Sequence, residues 1–560
     1  MNIPQTLFCN QTVEFQCSSD VLAIEFIAPS GSSQYVQPFS YQPIKLSYEE
    51  DGIENVFPDG NLIQLARYTP VEEGMHEVYL CREGTRTFFG QIQVLKSDLH
   101  GFIGVSKKDS RYFAYSDGTP FVPVGINLAY PTAYGSSSGT EFGRENTLRY
   151  CGLKQYERWM KALSENGCNL IRIWAGCDYF CPDTKTAGVY KYEKFSLLDR
   201  LFELAEQYNL KVKLTLEQFR YFDYREKLPE DAYTADIYRK FSKQLYADGE
   251  RCESMTDFLS EDKWKKYWLM KVREYAARYA AYPHLFAIEF WNEMNAVQVE
   301  NKELLYQWNR EMAVEVQKMF PNTMVINSLG SFDVDYSESS YSIFPFDAFA
   351  FKQVHRYLDL GARLEICKGH PVVLSADAIN VLKEDNCPIL LAETGAVESC
   401  HSGPFKYYSS DHRGILFADT VYPPLFAGAA GSGNIWHWNE RYVENKNLYS
   451  LFKPLAQLID GIAFDEQHFT SQMQETETAY ILLLKGKDYT LGYVRNKQDT
   501  WQHTLRDGNS VTPIDITIPV NGKLEVYPLW EPFDYIQKDN SVTFCGMRYG
   551  ALFKVRNESF

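Results

Sequence analysis

The sequence lacks the features that would place the chain in a membrane, a secretion pathway or a nucleotide-binding sheet. No run of about 18 apolar residues could span a bilayer. The opening residues, MNIPQTLFCNQTVEFQ, have neither the basic nor the apolar stretch of a signal peptide. No GxGxxG or Walker motif follows a strand where a phosphate turn would be needed. We therefore expect a cytoplasmic protein, or a secreted one whose signal has been trimmed.

Positive charge and paired cysteines are also scarce. The net charge is -17 and the isoelectric point is near 5.2, which argues against nucleic acid and anionic membranes as partners. The 12 cysteines are scattered, without the CxxC pairs of a zinc site or the density of a disulfide scaffold. The sequence thus predicts reduced thiols, no metal and no cofactor.

The chain is long, and the pattern of its apolar residues changes along it. Its 560 residues exceed what one core supports, since single cores stop growing near about 250–300 residues. Residues 1–100 read as short alternating strands separated by turn clusters, which predicts an N-terminal β-sandwich of immunoglobulin-like type. Residues 463–560 return to that pattern and predict a C-terminal β-sandwich.

Between them, residues 101–462 alternate short apolar strands with amphipathic helices, the pattern of repeated βα units. Helices are predicted at 153–167, at 196–209 with Ser196 as N-cap, and at 261–280. Eight strands are predicted, at 121–127, 169–175, 211–217, 286–293, 323–329, 348–355, 388–395 and 433–438. This count favours an α/β fold, a closed (β/α)8 TIM barrel, over an open doubly wound sheet.

Active sites of such barrels lie at the C-terminal ends of the strands, so polar residues there are the candidates. They are Asn127, Arg172, Glu217, Asn292, Glu293, Asn327, His355, Glu393, Trp436 and Trp438. Glu293 and Glu393 end the fourth and seventh predicted strands on opposite sides of a narrow mouth. Two facing carboxylates are what glycoside hydrolysis requires, one holding a proton for the leaving oxygen and one ionised. Taken alone, either residue could instead be a solvated strand-end carboxylate.

The motifs FWNEMN and LLAETG, with LIRIW, VHRY and IWHW, resemble clan A glycoside hydrolases, most closely family 5. The resemblance implies Glu293 as acid/base and Glu393 as nucleophile, hence a retaining double displacement. It implies that Arg172 and Tyr357 keep the nucleophile ionised, that Asn292 binds the sugar 2-hydroxyl and that His355 organises the acid/base side. The segment 101–130 is similar to proteins in which a β-sandwich precedes a mannanase-like or cellulase-like barrel.

Three strand-end residues leave alternatives open. Trp436 and Trp438 share strand parity, so one could fill the barrel while the other forms the floor of the sugar site, and we favour Trp438 for the floor. Glu217 precedes the loop QFRYFDYREK and either positions substrate or braces that loop. Asn127 completes the set of substrate-binding candidates.

Loops predicted after the first, third, sixth and seventh strands would raise walls around the mouth and favour a pocket over a groove. We therefore expect an exo-acting enzyme on oligosaccharides, with β-mannosides favoured by the resemblance alone. The alternatives are an endo-acting mannanase or glucanase on polysaccharide, a transglycosylase using the same residues, and a non-catalytic carbohydrate-binding protein. The sequence leaves the oligomeric state undetermined.

Overall fold

The structure is a computed structural model that describes residues 3–50, 52–134, 149–219, 246–297 and 299–557. Most of the loops predicted to follow the first and third strands therefore lie outside the described residues. Among the helices within these ranges, none is both long and apolar enough to cross a membrane.

The N-terminal region is rich in β-structure, as the alternating pattern predicts. Its strands form a sheet of order β1-β10-β9-β3-β4, a second sheet of order β2-β8-β5 and the hairpin β6-β7. They are β1 (Thr6–Phe8), β2 (Val13–Cys17), β3 (Ala23–Ile27), β4 (Ser33–Val36), β5 (Phe39–Tyr41), β6 (Ile44–Tyr48), β7 (Glu54–Pro58), β8 (Ile63–Tyr68), β9 (Gly74–Arg82) and β10 (Thr85–Leu95). Buried residues of both sheets share one core, in which the rings of Phe26 and Tyr68 stack with centroids 3.7 Å apart.

The middle of the chain is organised around parallel strands. Its strands are β11 (Ile103–Val105), β12 (Phe113–Tyr115), β13 (Pro120–Phe121), β14 (Gly125–Asn127), β15 (Ala133–Tyr134), β16 (Arg149–Tyr150), β17 (Leu170–Trp174), β18 (Lys211–Gln218), β19 (Tyr246–Ala247), β20 (Glu250–Arg251), β21 (Leu285–Asn292), β22 (Met324–Ile326), β23 (Lys352–His355), β24 (Leu358–Asp359), β25 (Ile389–Glu393) and β26 (Ala396–Val397). A parallel sheet runs in the order β14-β17-β18-β21-β22, and β23 pairs in parallel with β25. Their residues are almost all buried on both faces, as expected of parallel strands covered by helices.

Backbone hydrogen bonds link the two groups of parallel strands. The N–H of Ala350 donates to Val325 (3.0 Å), and the N–H of Trp436 donates to Thr394 (2.9 Å). The N–H of Asn127 donates to Ile435 (3.3 Å), which brings the segment around 435 next to β14. The predicted eighth strand at 433–438 is thus present only as a single parallel bridge between Thr394 and Ile435. Its regular pairing ends because the chain turns, with the N–H of Trp438 donating to the carbonyl of Trp436 (2.9 Å).

Helices follow most of these strands. They are α1 (Gly152–Glu165), α2 (Tyr192–Gln207), α3 (Met255–Ser260), α4 (Asp262–Tyr279), α5 (Lys302–Met319), α6 (Pro371–Asn380), α7 (Ile415–Val421), α8 (Pro423–Ala427), α9 (Val443–Lys446) and α10 (Phe452–Ile459). The prediction of Ser196 as an N-cap is wrong, since α2 begins at Tyr192 and Ser196 lies in its second turn. There the Ser196 hydroxyl donates to the carbonyl of Gln42 (2.6 Å), so it joins the helix to the N-terminal region.

The C-terminal region is again antiparallel. Its strands are β27 (Thr470–Glu475), β28 (Ala479–Lys485), β29 (Tyr489–Asn496), β30 (Ile514–Pro519), β31 (Gly522–Leu529), β32 (Asp534–Lys538), β33 (Ser541–Met547) and β34 (Gly550–Asn557). They form sheets of order β27-β28-β29-β34-β31 and β30-β33-β32 around their own apolar core. Buried Arg495 on β29 contacts Asp419 on α7 at 2.7 Å, which docks this region onto the middle of the chain.

Candidate active site

Two carboxylates and one imidazole meet where three parallel strands end. Glu393 is the last residue of β25, His355 is the last residue of β23, and Glu293 directly follows β21. A carboxylate oxygen of each glutamate and a ring nitrogen of His355 all lie within 4.8 Å of one another. Parallel strands bring their carboxyl ends to the same edge, which is why residues 100 positions apart in the sequence become neighbours.

His355 lies between the two carboxylates. Its Nδ1 is 3.1 Å from Oε1 of Glu293 and 3.5 Å from Oε2 of Glu393. The imidazole and the Glu393 side chain are buried, whereas the Glu293 side chain is 20% exposed. Of the pair, Glu293 is therefore the carboxyl group open to solvent.

The backbone at Glu293 holds an unusual conformation. Its φ is +55°, in the left-handed region that non-glycine residues seldom adopt. The N–H of Glu293 donates to the Ser328 hydroxyl (3.2 Å), which helps to fix the turn. Such strain is often found at functional sites, where the surrounding structure holds it in place.

Glu393 receives hydrogen bonds from two donors. Nη1 of Arg172 donates to Oε1, and the Tyr357 hydroxyl donates to Oε2 (2.7 Å). Burial raises the pKa of Tyr357 well above its ordinary value, and the Glu393 charge raises it further, so the phenol keeps its proton. A guanidinium and a phenol that donate to one carboxylate stabilise its ionised form.

Arg172 is buried and connects several strand ends. Nε donates to Oε2 of Glu289 (2.7 Å) and Nη2 donates to Oδ1 of Asn292 (2.8 Å). Nη1 also donates to Oδ1 of Asn127 (3.3 Å). Arginine suits this position because its planar fork has donors pointing in fixed directions.

Glu289 and the residues around it form a buried charged layer below the carboxylate pair. Burial alone would raise the pKa of Glu289, but the charges of Arg172 and Lys213 lower it to about 2. Gln353 donates to Glu289 (3.0 Å) and accepts a hydrogen bond from Nζ of Lys213 (2.5 Å). Sequence reasoning missed Glu289, Lys213 and Gln353. A charged or amide residue inside an otherwise apolar strand could have identified each of them.

Asn127 holds the chain segment of the eighth predicted strand. Its side-chain N–H groups donate to the carbonyls of Ala392 (3.1 Å), Asn434 (3.1 Å) and Ile435 (3.2 Å). Its carbonyl oxygen accepts from Arg172. In this structure Asn127 therefore contacts protein groups with both ends of its amide.

The two tryptophans differ in exposure. Trp438 is only 1% exposed and packs against Tyr130 with ring centroids 4.8 Å apart. Trp436 is partly exposed and packs against Trp174 at 5.1 Å. Of the two, only Trp436 has ring surface open to solvent, and the choice of Trp438 as the floor of the sugar site stays a prediction.

Glu217 lies in a different environment from the carboxylate pair. It accepts from Nζ of Lys271 (2.6 Å) and from Nε1 of Trp268 (3.2 Å), both on α4. Nζ of Lys271 also contacts Asp183 at 2.5 Å. These contacts join β18 to a helix. The loop that Glu217 was predicted to brace lies almost wholly outside the described residues, so both roles stay predictions.

The Glu293, His355 and Glu393 side chains are close enough to hold a metal ion. However, the Arg172 guanidinium bonded to Glu393 already supplies the positive charge that a cation would bring. The described geometry therefore fits proton transfer and nucleophilic attack by carboxylates without requiring a metal.

Residues 135–411 match the family model described as Cellulase (glycosyl hydrolase family 5). No curated protein matches the chain. A Bacteroides vulgatus ATCC 8482 protein provisionally assigned as a glycoside hydrolase is 14% identical, with a TM-score of 0.58 over 99% of this chain and 100% of that one. That similarity shows a shared fold over nearly the whole length.

Two further solved structures are similar at lower scores. The endo-β-1,4-mannanase from Thermotoga petrophila is 14% identical, with a TM-score of 0.42 over 76% of this chain and 92% of that one. A family 5 mannosidase from Rhizomucor miehei is 16% identical, with a TM-score of 0.38 over 60% and 86% of the two chains. The family match spans residues 135–411, the part of the chain that contains Glu293, His355 and Glu393.

Proposed function

We propose that the chain is a retaining β-glycosidase that acts by double displacement, with Glu293 as acid/base and Glu393 as nucleophile. The observation that carries the proposal is the separation of the pair, whose nearest described oxygens lie within 4.8 Å. Retaining enzymes hold their carboxyl groups about 5–5.5 Å apart, whereas inverting enzymes need about 6.5–9.5 Å to admit a water molecule.

In the first step the ionised Glu393 attacks the anomeric carbon while Glu293 protonates the leaving oxygen. Arg172 and Tyr357, which donate to the two oxygens of Glu393, support its role as the nucleophile. The partial exposure of Glu293 suits the group that must meet a leaving group and later a water molecule. In the second step Glu293 removes a proton from that water, which then hydrolyses the glycosyl-enzyme ester.

Substrate positioning falls to the groups around the pair. Asn292, held by Arg172, is our candidate for the sugar 2-hydroxyl, and His355 orients Glu293 from the buried side. Trp436 is the better candidate for the floor beneath the sugar ring because Trp438 is buried. Asn127 and Glu217 act through protein contacts, at Arg172 and at Lys271 respectively.

For the architecture we propose a closed (β/α)8 barrel at residues 101–462, between β-sandwiches at 1–100 and 463–560. Two backbone hydrogen bonds between the separate groups of parallel strands support closure. They join Ala350 to Val325 and Asn127 to Ile435. A family 5 domain also implies a carbohydrate substrate and this barrel. For the substrate we propose short β-mannosides cleaved from a chain end, on the resemblance of the motifs and the predicted walls.

The test is hydrolysis of a panel of aryl β-glycosides, namely mannoside, glucoside, galactoside, xyloside and arabinofuranoside. Glu393→Gln should lower turnover by at least about 10⁴-fold, since loss of a covalent nucleophile removes the reaction path. Glu293→Ala should spare substrates with good leaving groups and regain activity with azide. Glu315→Gln, an exposed carboxylate on α5, is the matched control and should leave turnover unchanged.

Product stereochemistry decides the mechanism independently. Proton NMR of the first-formed sugar should show the β-anomer for a retaining enzyme. An α-anomer, or equal losses on activated and unactivated substrates in Glu293→Ala, would contradict the assigned roles. Release of internal fragments from mannan would replace exo-action with endo-action.

A further inference from the structure

A second polar cluster lies beside the carboxylate pair, at the outer edge of the site. It consists of Ser331, Asp333, Asp359 and His401, and we refer to it as the rim cluster. Nε2 of His401 is 2.7 Å from the Ser331 hydroxyl, and its Nδ1 is 2.8 Å from Oδ2 of Asp359. The mechanism proposed above uses none of these side chains.

The rim cluster is held in place from below. Asp359 is buried, and its Oδ1 accepts the backbone N–H groups of Gly361 (2.7 Å) and Cys400 (2.9 Å). A side chain at position 361 would place its Cβ 2.6 Å from the Cys400 nitrogen, so only glycine permits this approach of the two segments. The buried carboxylate is thus oriented before any ligand arrives.

The backbone that carries the imidazole is strained. Cys400 and His401 both have φ of +58°, which places two successive non-glycine residues in the left-handed region. Such a conformation persists only where the surrounding structure imposes it. The His401 side chain is 36% exposed, although its partner Asp359 is buried.

The rim cluster borders the acid/base side of the carboxylate pair. A Cβ on Gly330, the residue before Ser331, would lie 3.7 Å from the Cβ of Glu293. The His401 ring meets the Tyr357 ring edge-on with centroids 5.4 Å apart, and Tyr357 bonds Glu393. Trp436 instead packs with Trp174 and Tyr130, on the side of β14 and β17.

The exposed members have the groups that bind sugar hydroxyls. The Ser331 oxygen keeps hydrogen-bonding capacity beyond its bond to His401, and the Asp333 carboxylate accepts no side-chain hydrogen bond from the described residues. Burial raises the pKa of Asp333; the His401 charge opposes this, and the charges of Asp359 and Glu293 add to it.

A serine, a histidine and an aspartate in contact also invite comparison with a hydrolytic triad. Within the described residues, however, Oδ2 of Asp359 makes no aligned hydrogen bond, although Nδ1 of His401 lies 2.8 Å away. A triad needs that hydrogen bond to fix the imidazole tautomer for proton transfer. The arrangement is therefore better suited to binding than to acyl transfer.

We propose that Ser331, Asp333 and His401 bind the sugar on the leaving-group side of the scissile bond, which makes the enzyme selective for oligosaccharides. The proposal rests on the assignment of Glu293 as acid/base, because that residue marks the leaving-group side. The ligand is a neutral pyranose whose hydroxyl groups contact the serine hydroxyl and the aspartate carboxylate. The partly exposed imidazole then packs against the sugar ring.

The experiment compares two substrates that share the same terminal sugar, an aryl glycoside without a leaving sugar and the corresponding trisaccharide. In Asp333→Asn, kcat/KM for the trisaccharide should fall about 10- to 100-fold, the effect of losing a hydrogen bond to a charged group. In His401→Ala it should fall about 10-fold, because the imidazole no longer packs against the sugar ring. For the aryl glycoside it should stay within about twofold. His412→Ala, which removes another exposed imidazole, should affect neither substrate.

Equal losses on both substrates would overturn the proposal in favour of a structural role, and so would no loss on the trisaccharide. A binding measurement removes the dependence on turnover. Calorimetric titration of Glu393→Gln with the trisaccharide should give a Kd that rises about 10-fold when His401→Ala is added. If His401→Ala leaves this Kd unchanged, the rim site is wrong. If the wild-type protein hydrolyses none of the glycosides, the proposed function is wrong.

Discussion

Glu393 and Glu217 occupy equivalent places in their strands, yet their surroundings differ in kind. Each lies at or next to the end of a parallel strand, each is buried, and each contacts one buried cation. The cation at Glu393 is Arg172, which also bonds Glu289 and Asn292. The cation at Glu217 is Lys271, which also contacts Asp183.

The difference shows that a strand-end carboxylate becomes a candidate catalyst through what faces it. Glu393 faces a second, partly exposed carboxylate across His355, whereas Glu217 faces the indole of Trp268. A carboxylate that must react needs a neighbour able to exchange protons and space for substrate. Glu217 instead contacts two residues of helix α4, so we expect it to act on the stability of the fold. Variants at both sites test this contrast.

The largest effect is expected on stability at the Glu217 cluster. Lys271→Met leaves the buried Glu217 without this cation, and breaking a buried pair in this way costs about 3–5 kcal/mol. Burial raises the pKa of Glu217, and losing Lys271 removes the largest effect that opposes this rise. Urea unfolding followed by tryptophan fluorescence measures the loss.

Lys318→Met provides the control for that measurement. Lys318 is 64% exposed and pairs with Glu315 on the same helix, so its loss should cost no more than about 0.5 kcal/mol. If Lys271→Met lowered the free energy of unfolding by no more than this, Glu217 and Lys271 would be solvated. The contrast with Glu393 would then be wrong.

The next effect is expected on turnover at the Glu393 side. Arg172→Lys keeps the positive charge but cannot donate to Glu393, Glu289 and Asn292 together, because an ammonium group lacks the planar fork. Turnover of an aryl glycoside should fall by about 10²–10³-fold, comparable to losing a donor that stabilises transition-state charge. Lys271→Arg, the reverse exchange at Glu217, should change turnover by less than about threefold. Similar losses in both variants would remove the functional distinction between the two sites.

Much of this arrangement follows from patterns within short stretches of sequence. Alternating and continuous apolar runs predicted the strands that end at His355 and Glu393, because burial on both faces leaves few polar residues inside a parallel strand. The rule that barrels place function at strand ends then selected Glu293 and Glu393 before any contact was known. Their separation and their roles could be inferred only from resemblance.

Contacts between distant segments could not be predicted in the same way. The partner of Glu217 is on a helix 54 positions later, and no local pattern connects the two. Strand parity treated Trp436 and Trp438 alike, but the turn that joins them buries one ring and leaves the other partly exposed. The rim cluster joins segments around positions 331, 359 and 401, whose proximity depends on the order of the strands.

The smallest effect concerns the charged layer below the carboxylate pair and appears as a dependence of stability on pH. Burial lowers the pKa of Lys213 to about 7 from its ordinary 10.5, with the charge of Glu289 opposing the shift and that of Arg172 adding to it. Between these values the unfolded chain binds a proton that the folded chain does not, so the free energy of unfolding rises with pH. The expected gain from pH 7 to about pH 9 is roughly 1–3 kcal/mol, at about 1.4 kcal/mol per pKa unit.

Lys213→Met should remove that gain while the wild type retains it, as measured by urea unfolding at the two pH values. Lys211 on the same strand also has a lowered pKa, of about 8, but it is present in both proteins and cancels in the comparison. Equal slopes in the two proteins would mean that Lys213 stays protonated beside Glu289. The layer beneath Arg172 would then carry a permanent second cation, and Glu289 would lie beside two charged groups, Arg172 and Lys213.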